Sequence, residues 1–310
     1  MRTPEFAARS EGTRSDPQAR STSGGCASRD TRGLTLKACP RAFTLVELLV
    51  VVAVIALLVG LLLPALSRAR EQGRLMVCLS NTRDITMAAN SYAVDNDGTW
   101  PIFPAWIPPN STVAVFNSWD FGGKTTSSFW TAPSVKRGVH ETPLNPYVAP
   151  ETTLKDPPGG RLEMYTYQCP SDPGTLQRKF WTPGTIPDGS ITCYDDVGTS
   201  YHMNIQWWFE AVRRAGLQQS GQGTLPLWKH YEKIFKIASF KSPARFAWLY
   251  DQSMDFIAVG GYQKMGDHGG ENKATAAFMD GHVVYQTVTP GAAETEEYSL
   301  FVDRYYRRPR

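Results

Sequence analysis

The pattern of apolar positions changes character twice along the chain. From Leu48 to Leu63 the sequence reads LLVVVAVIALLVGLLL, without a polar side chain. With its flanks, the stretch Phe43–Leu66 holds one charged residue, Glu47. Its 24 residues would make roughly 36 Å of helix at ~1.5 Å per residue, sufficient for a ~30 Å hydrocarbon core. A buried core helix is the other reading, and the unbroken apolar run disfavours it. Pro64 lacks an N–H and is expected to kink the helix locally. Beyond it the pattern becomes one-sided. Leu75, Leu79, Thr82, Ile85, Ala89 and Tyr92 recur at three- and four-residue spacing, with Arg74, Asn81, Arg83 and Asp84 opposite. Asp95-Asn96-Asp97-Gly98 and Pro101 are stop signals. One helix is therefore predicted from Phe43 to about Val94, its first half in lipid and its second half against a globular head.

In the head the period shortens. Lys233–Phe240 and Arg245–Tyr250 read as strands separated by Ser242-Pro243, and Trp207-Trp208-Phe209 opens a short helix towards Arg214. Ala274–Met279 and His282–Thr287 read as a hairpin, whose Asp280-Gly281 pair suits a two-residue type I′ turn. The expected fold class is α+β: a long N-terminal transmembrane and amphipathic helix packed on an antiparallel β-sheet head. The expected divisions are a leader (1–42), a transmembrane segment (43–66), an amphipathic continuation (67–97) and an exported head (98–310).

Charge adds direction. Residues 1–42 carry eight basic and four acidic side chains, a net +4, so the remainder of a +3 chain is about −1. A near-neutral body argues against nucleic acid as a partner. Basic residues before the apolar run outnumber Arg68, Arg70 and Arg74 after it, which keeps the amino end cytoplasmic and exports the head. A secretory signal would place a small-x-small site after its apolar core, and Gly60–Leu66 offers no convincing Ala-x-Ala site. Cys26 and Cys39 fall in the leader; Cys78, Cys169 and Cys193 lie in the head, permitting one disulfide and one spare thiol. No Cys-x-x-Cys spacing suggests a zinc ribbon.

The informative motif precedes the apolar run. Ala42-Phe43-Thr-Leu-Val-Glu47 followed by about twenty apolar residues resembles the signal of type IV prepilins and type II secretion pseudopilins. That resemblance implies cleavage by a prepilin peptidase between Ala42 and Phe43, with N-methylation of Phe43. Glu47 and Pro64 then fall where the family carries its glutamate and its kinking proline, and Ala42 stands in place of the usual glycine. The family's solution for the carboxylate is the ammonium of a neighbouring subunit, giving Glu47 a role in assembly. Physically, a carboxylate within a membrane costs ~2.5–3.5 kcal/mol near the helix centre and calls for a partner or a route to water. Further motifs resemble a planctomycete-type prepilin-like group: Cys78-Leu-Ser-Asn81-Thr-Arg83-Asp-Ile85, Tyr167-Gln-Cys169-Pro-Ser-Asp172 and Ser200-Tyr-His-Met-Asn204. His268 followed by Asp280-Gly281 resembles that group's terminal H-x9-DG motif, with eleven intervening residues instead of nine. Cys78 and Cys169 are the disulfide candidates because both sit in these motifs; Cys169–Cys193 is the rival pairing.

Candidate chemistry outside the resemblance is sparse. His268, Asp280 and His282 could form a catalytic or metal pair, against the reading that a glycine-flanked loop packs on a hairpin turn. Gly-x-Ser-x-Gly and His-Glu-x-x-His are absent. No metal ligands are assigned. Calcium is the one cofactor considered, at Asp95–Gly98, which reads better as a turn, or through Asp267 and Glu271. All nine tryptophans lie at or after Trp100. Loop indoles such as Trp106, Trp119 and Trp130 could stack sugars or could anchor long loops to the sheet, and the second is favoured. The basic tail from Arg304 to Arg310 reads as solvated.

Three functions are weighed. The favoured one is a non-enzymatic structural subunit of a type II secretion or type IV pilus-like filament. Its partners would be the prepilin peptidase, other pilin-like subunits, the assembly machinery and the inner membrane, with the head in the periplasm. The second is a membrane-anchored exported module that binds glycans or another protein. The third is an exported enzyme using His268 and Asp280.

Overall fold

The computed structural model describes residues 43–101, 113–115, 117–178, 191–214, 216, 222–232, 235 and 242–302. The leader with Ala42, Trp106, most of Lys233–Phe240 and the Arg304–Arg310 tail lie outside the described residues. The structure divides into two units at Ala56/Leu57. The boundary falls inside α1, a helix spanning Leu45–Asp95 that holds Pro64. The part of α1 in the first unit exposes its apolar side chains, Leu48, Leu49 and Ile55 among them. It belongs to a helix long and apolar enough to cross a membrane.

In the second unit α1 becomes one-sided as expected, except that Leu79, placed on the inner face, and Asn81, placed on the outer one, are both half-buried, and Cys78 is buried. Leu75, Cys78, Thr82, Ile85, Ala89 and Tyr92 are buried, while Arg74, Arg83 and Asp84 face water. Thr82 and Thr86 donate their hydroxyls to the carbonyls of Cys78 and Thr82, each at 2.8 Å. These back-bonds let polar side chains sit in an apolar face without an unsatisfied group. Gly98 N–H bonds to Ala93 O at 2.7 Å, and Asp97 and Gly98 both have positive φ, so Asp95–Gly98 is the helix-ending turn.

The sheet has four antiparallel strands: β2 (Tyr201–Met203), β4 (Ala247–Asp251), β5 (Lys273–Phe278) and β6 (Val283–Thr287), in that spatial order. A second sheet pairs β1 (Val113–Val115) with β3 (Gln222–Thr224), Ala114 opposite Gly223. In the large sheet β2, β4 and β5 are buried on both faces, whereas the edge strand β6 is half-exposed. Thr275 on β5 meets Cys78 of α1, and Ala277 joins the same cluster. Ala274, Ala276 and Phe278 alternate to the other face, against Met254 and Ile257 of a helix at Gln252–Ala258. Small residues on β5 allow that close double approach. A register shift between Ala247 and Leu249 breaks the alternation of β4, so Trp248 and Leu249 both enter the α1 side of the core.

The β5–β6 hairpin exists where expected, but its turn differs. Gly281 N–H bonds to Phe278 O at 2.9 Å, and Phe278 N–H to His282 O at 2.9 Å. Gly281 has φ 96°, and Asp280 is not among the positive-φ residues. This is a three-residue loop of the type I plus bulge kind, in place of the type I′ turn. It requires left-handed backbone at one position only, and Gly281 supplies it.

The described tryptophans Trp100, Trp119, Trp130, Trp207, Trp208, Trp228 and Trp248 are all buried. Trp100 meets Trp248 edge-on at 5.1 Å, and Trp207 lies 4.2 Å from Phe235. Trp100, Trp119 and Trp130 anchor loops to the core, Trp207, Trp208, Trp228 and Trp248 bring helices and β4 into it, and none of these seven offers an open stacking face. Connections in 117–200 are held by ion pairs as well: Lys124 with Asp195 at 2.6 Å, and buried Asp120 with Arg137 at 3.0 Å. Asn204, just after β2, donates to Ala247 O at 2.7 Å and Leu300 O at 3.1 Å. Asn204→Ala would leave both buried carbonyls without that donor and is expected to destabilise the detergent-solubilised chain by about 2 kcal/mol in denaturant unfolding.

Candidate functional site

Two constellations stand out, one at the start of α1 and one deeper in the head. At the start of α1, Thr44 and Glu47 bond reciprocally. Glu47 Oε2 accepts from Thr44 N at 2.9 Å and Thr44 Oγ1 at 2.8 Å, while Thr44 Oγ1 accepts from Glu47 N at 3.2 Å. This is a capping box, with Thr44 at the N-cap and Glu47 three residues on. The Thr-x-x-Glu spacing is plain in the sequence, although there the cost of the Glu47 charge points to a partner or a route to water and not to a cap. All three bonds leave Oε1 uncommitted. One oxygen closes the helix end and the other is available. Phe43 is exposed beside it. Pro64 lies within the helix, where its own N–H is missing.

The second constellation gathers motifs that are distant in sequence. The sulfurs of Cys78 and Cys169 and a ring nitrogen of His268 lie within 4.8 Å of one another, and all three residues are buried. Cys169 Sγ is 3.3 Å from His268 Nε2, and Tyr201 donates to Cys78 Sγ at 3.3 Å. His268 Nδ1 is 3.1 Å from Glu71 Oε1, which also accepts from Ser171 Oγ. Asp172 binds the surrounding loops together, accepting from Gly174 N, Cys193 N, Tyr194 N and Ser200 Oγ. Ser200 Oγ in turn accepts from Cys169 N at 3.0 Å, and Asn81 donates to Gln168 O at 2.9 Å. The motifs around Cys78, Cys169, Ser200 and His268 are thus parts of one cluster. A helix at Cys193–Val197, capped by Thr192, presents the amides that Asp172 reads. Its terminal Gly198 has φ 94°, and a Cβ there would strike the Lys124 carbonyl.

The electrostatics of the cluster are those of crowded negative groups. The hydrogen bond from Cys169, aided by those from His268 and Tyr201, pulls the Cys78 thiol down to about 5 against its burial. The same bond, with burial, pushes the Cys169 thiol up. Burial works against the charge on His268, but its hydrogen bonds to Cys78 and Glu71 and the nearby negative charge raise its pKa overall. Burial pushes the Asp267 carboxyl well above the carboxylate range, and Asp251, Cys78 and Asp172 add to it. Burial raises Asp251 to about 7.

Several expected sites resolve differently. Cys78 and Cys169 are neighbours, but the two are free thiols in this structure rather than a bridge, with His268 placed against Cys169. Cys193 is buried 3.5 Å from His202 Nε2. His268 and Asp280 do not meet. His268 sits by Glu71, whereas the Gly281 turn lies against Asn90, 3.8 Å from a Cβ position at Gly281. Those two points on α1 are roughly 28 Å apart at ~1.5 Å per residue. Asp280 instead pairs locally with His282 at 2.6 Å, and the His282 ring stacks on Phe278. Of the calcium candidates, Asp267 is buried and Glu271 exposed, and Asp95 accepts from Tyr147 at 2.9 Å. Glu71 escapes a reading of the sequence. Its one signal there is an acid set among Arg68, Arg70 and Arg74.

A helix apolar all round in its first half, continuing into an antiparallel α+β head, defines an N-terminally anchored subunit of pilin-like build. Residues 38–63 match the family model of the prokaryotic N-terminal methylation motif. The type IV wide pilus major component PilA4 of Thermus thermophilus is 30% identical over 114 residues, covering 33% of this chain and 87% of that protein. No solved structure matches the chain. The chain belongs to the type IV pilin-like family.

Thr44→Ala removes the cap while keeping the carboxylate. It is expected to loosen the first turn of α1 by about 1 kcal/mol, read as faster amide exchange at residues 45–48 in detergent micelles with the head unchanged.

Proposed function

We propose that the chain is a structural, non-catalytic subunit of a type IV pilus-like filament. A prepilin peptidase releases it between Ala42 and Phe43, and Phe43 is N-methylated. The observation carrying this reading is the start of α1. Glu47 spends one oxygen on its own helix cap and keeps the other free, close to the proposed new terminus at exposed Phe43. A neighbouring subunit's terminal ammonium supplies the charge that this oxygen lacks, and in a low-dielectric setting such a pair is strong enough to set register. The match to the methylation motif supports processing, and the likeness to a pilus major component favours a pilus-like filament over a type II secretion pseudopilus.

In this reading the basic leader stays cytoplasmic, the helix rests in the inner membrane before assembly, and the head lies in the periplasm. The partners are the peptidase, other pilin-like subunits and the assembly machinery, with no role for nucleic acid. The alternative of an anchored glycan-binding module is disfavoured by burial of the seven described tryptophans. An enzyme built on His268 and Asp280 is disfavoured by their separation along α1.

Mass spectrometry of the protein from membranes is expected to show a chain beginning at methylated Phe43; a terminus upstream of Ala42 would overturn the reading. Glu47→Gln retains a capping side chain but removes the charge. It is expected to insert and be processed normally yet assemble at least about tenfold less filament, the effect of losing ~1.4 kcal/mol or more per contact. Thr44→Ala, which keeps the charge, should assemble close to normally.

A further inference from the structure

The buried group at Cys78, Cys169 and His268 is not explained by filament assembly, and its geometry is that of a ligand set. A tetrahedral centre with metal–sulfur bonds of ~2.3 Å and metal–nitrogen bonds of ~2.0–2.1 Å places its sulfur and nitrogen ligands about 3.5 Å apart. Cys169 Sγ and His268 Nε2 are 3.3 Å apart, and the Cys78 sulfur lies within 4.8 Å of both. Glu71 faces the other ring nitrogen at 3.1 Å. A carboxylate in that position holds the proton on Nδ1 and turns the Nε2 lone pair towards the sulfurs, the usual outer partner of a ligating histidine.

A second observation is independent of the ligand geometry. Asp267 Oδ1 is buried without a hydrogen-bond partner. Among the described residues no lysine or arginine forms an ion pair with Asp172, Asp251 or Asp267. An unpartnered buried carboxyl oxygen is costly, and although Asp267 hydrogen-bonds Asp251, this oxygen beside the site still has room for a further partner. A disulfide between Cys78 and Cys169 would bring no positive charge and would leave the orientation of His268 and the Asp267 oxygen unexplained. A cleft of ≈ 710 Å³, lined by Glu71, Asp172 and Asp267 and also by Arg68 and Arg74, opens at the His268 side of the site.

We propose that Cys78, Cys169 and His268 bind a thiophilic divalent cation of the zinc class, with three protein ligands and the fourth position open. Two sulfurs and an imidazole select such an ion over calcium or magnesium, which take oxygen ligands. The site ties the buried face of α1, through Cys78, to the loops carrying Cys169 and His268.

The test uses the full chain purified in detergent without chelator or reductant. Elemental analysis after dialysis against zinc is expected to give about one ion per chain. Cobalt exchange should give the thiolate charge-transfer and visible bands of a tetrahedral site. Cys78→Ser, Cys169→Ser and His268→Ala should abolish both signals, while Cys193→Ser retains them. Glu71→Gln, which keeps the ligands, should weaken affinity by roughly 10–100-fold in a competition titration with a chromophoric chelator. That milder variant and the wild-type cobalt spectrum do not depend on the ligand variants folding. A wild-type chain with under about 0.1 ion and a mapped Cys78–Cys169 disulfide would overturn the proposal, as would undiminished cobalt bands in either cysteine variant.

Discussion

Between Leu75 and Ala93 one face of α1 is buried against the head while the other carries Arg83 and Asp84 into water. The head depends on this contact. Its buried residues alternate between large anchors, Leu75, Ile85 and Tyr92, and small or back-bonded ones, Thr82, Thr86, Ala88 and Ala89. Each large side chain contributes on the order of 1.5–3 kcal/mol by leaving water. The small ones let the sheet approach closely enough for Thr275 and Ala277 of β5 to meet the helix. With that face covered, the opposite face of β5 is free to hold Phe278 and Ala276 against Met254 and Ile257. A two-sided sheet follows from a one-sided helix.

Much of this frame is legible in the residues. The α1 bounds, the short helix from Gln206 to Arg214, the strand ending at Asp251 and both arms of the hairpin follow from period and punctuation, which are local properties. Local chemistry also explains where the sequence misleads. Asp280-Gly281 suits two turn types, and the choice between them depends on how many residues the paired strands leave unpaired. The indoles can be read as surface or as anchors because burial is decided by what packs above them. Thr44-x-x-Glu47 is plain to see, yet the membrane cost of Glu47 draws attention away from the cap it forms.

What cannot be read is proximity across the chain. Glu71, Cys78, Cys169 and His268 span almost two hundred residues, and no spacing rule links them. Asp172 fixes the loop that carries Cys169 by drawing it onto the amides at Cys193 and Tyr194 and onto Ser200, while Cys78 arrives on α1 against Thr275 and His268 is held by Glu71. The motifs that resemble a known group are legible as words, and their meaning lies in being adjacent in space. The same folding separates His268 from Asp280, which sequence order makes look like a pair.

The cap formed by Thr44 and Glu47 has a consequence for the single subunit. A helix end in hydrocarbon must satisfy its leading amides without water, and here the side chain of Glu47 takes the Thr44 amide from within the same turn. Two of the leading amides, those of Thr44 and Glu47, are thus satisfied without a second chain. Because the cap is closed within one chain, the direction in which the Glu47 carboxylate points is fixed by its own backbone before any other molecule approaches.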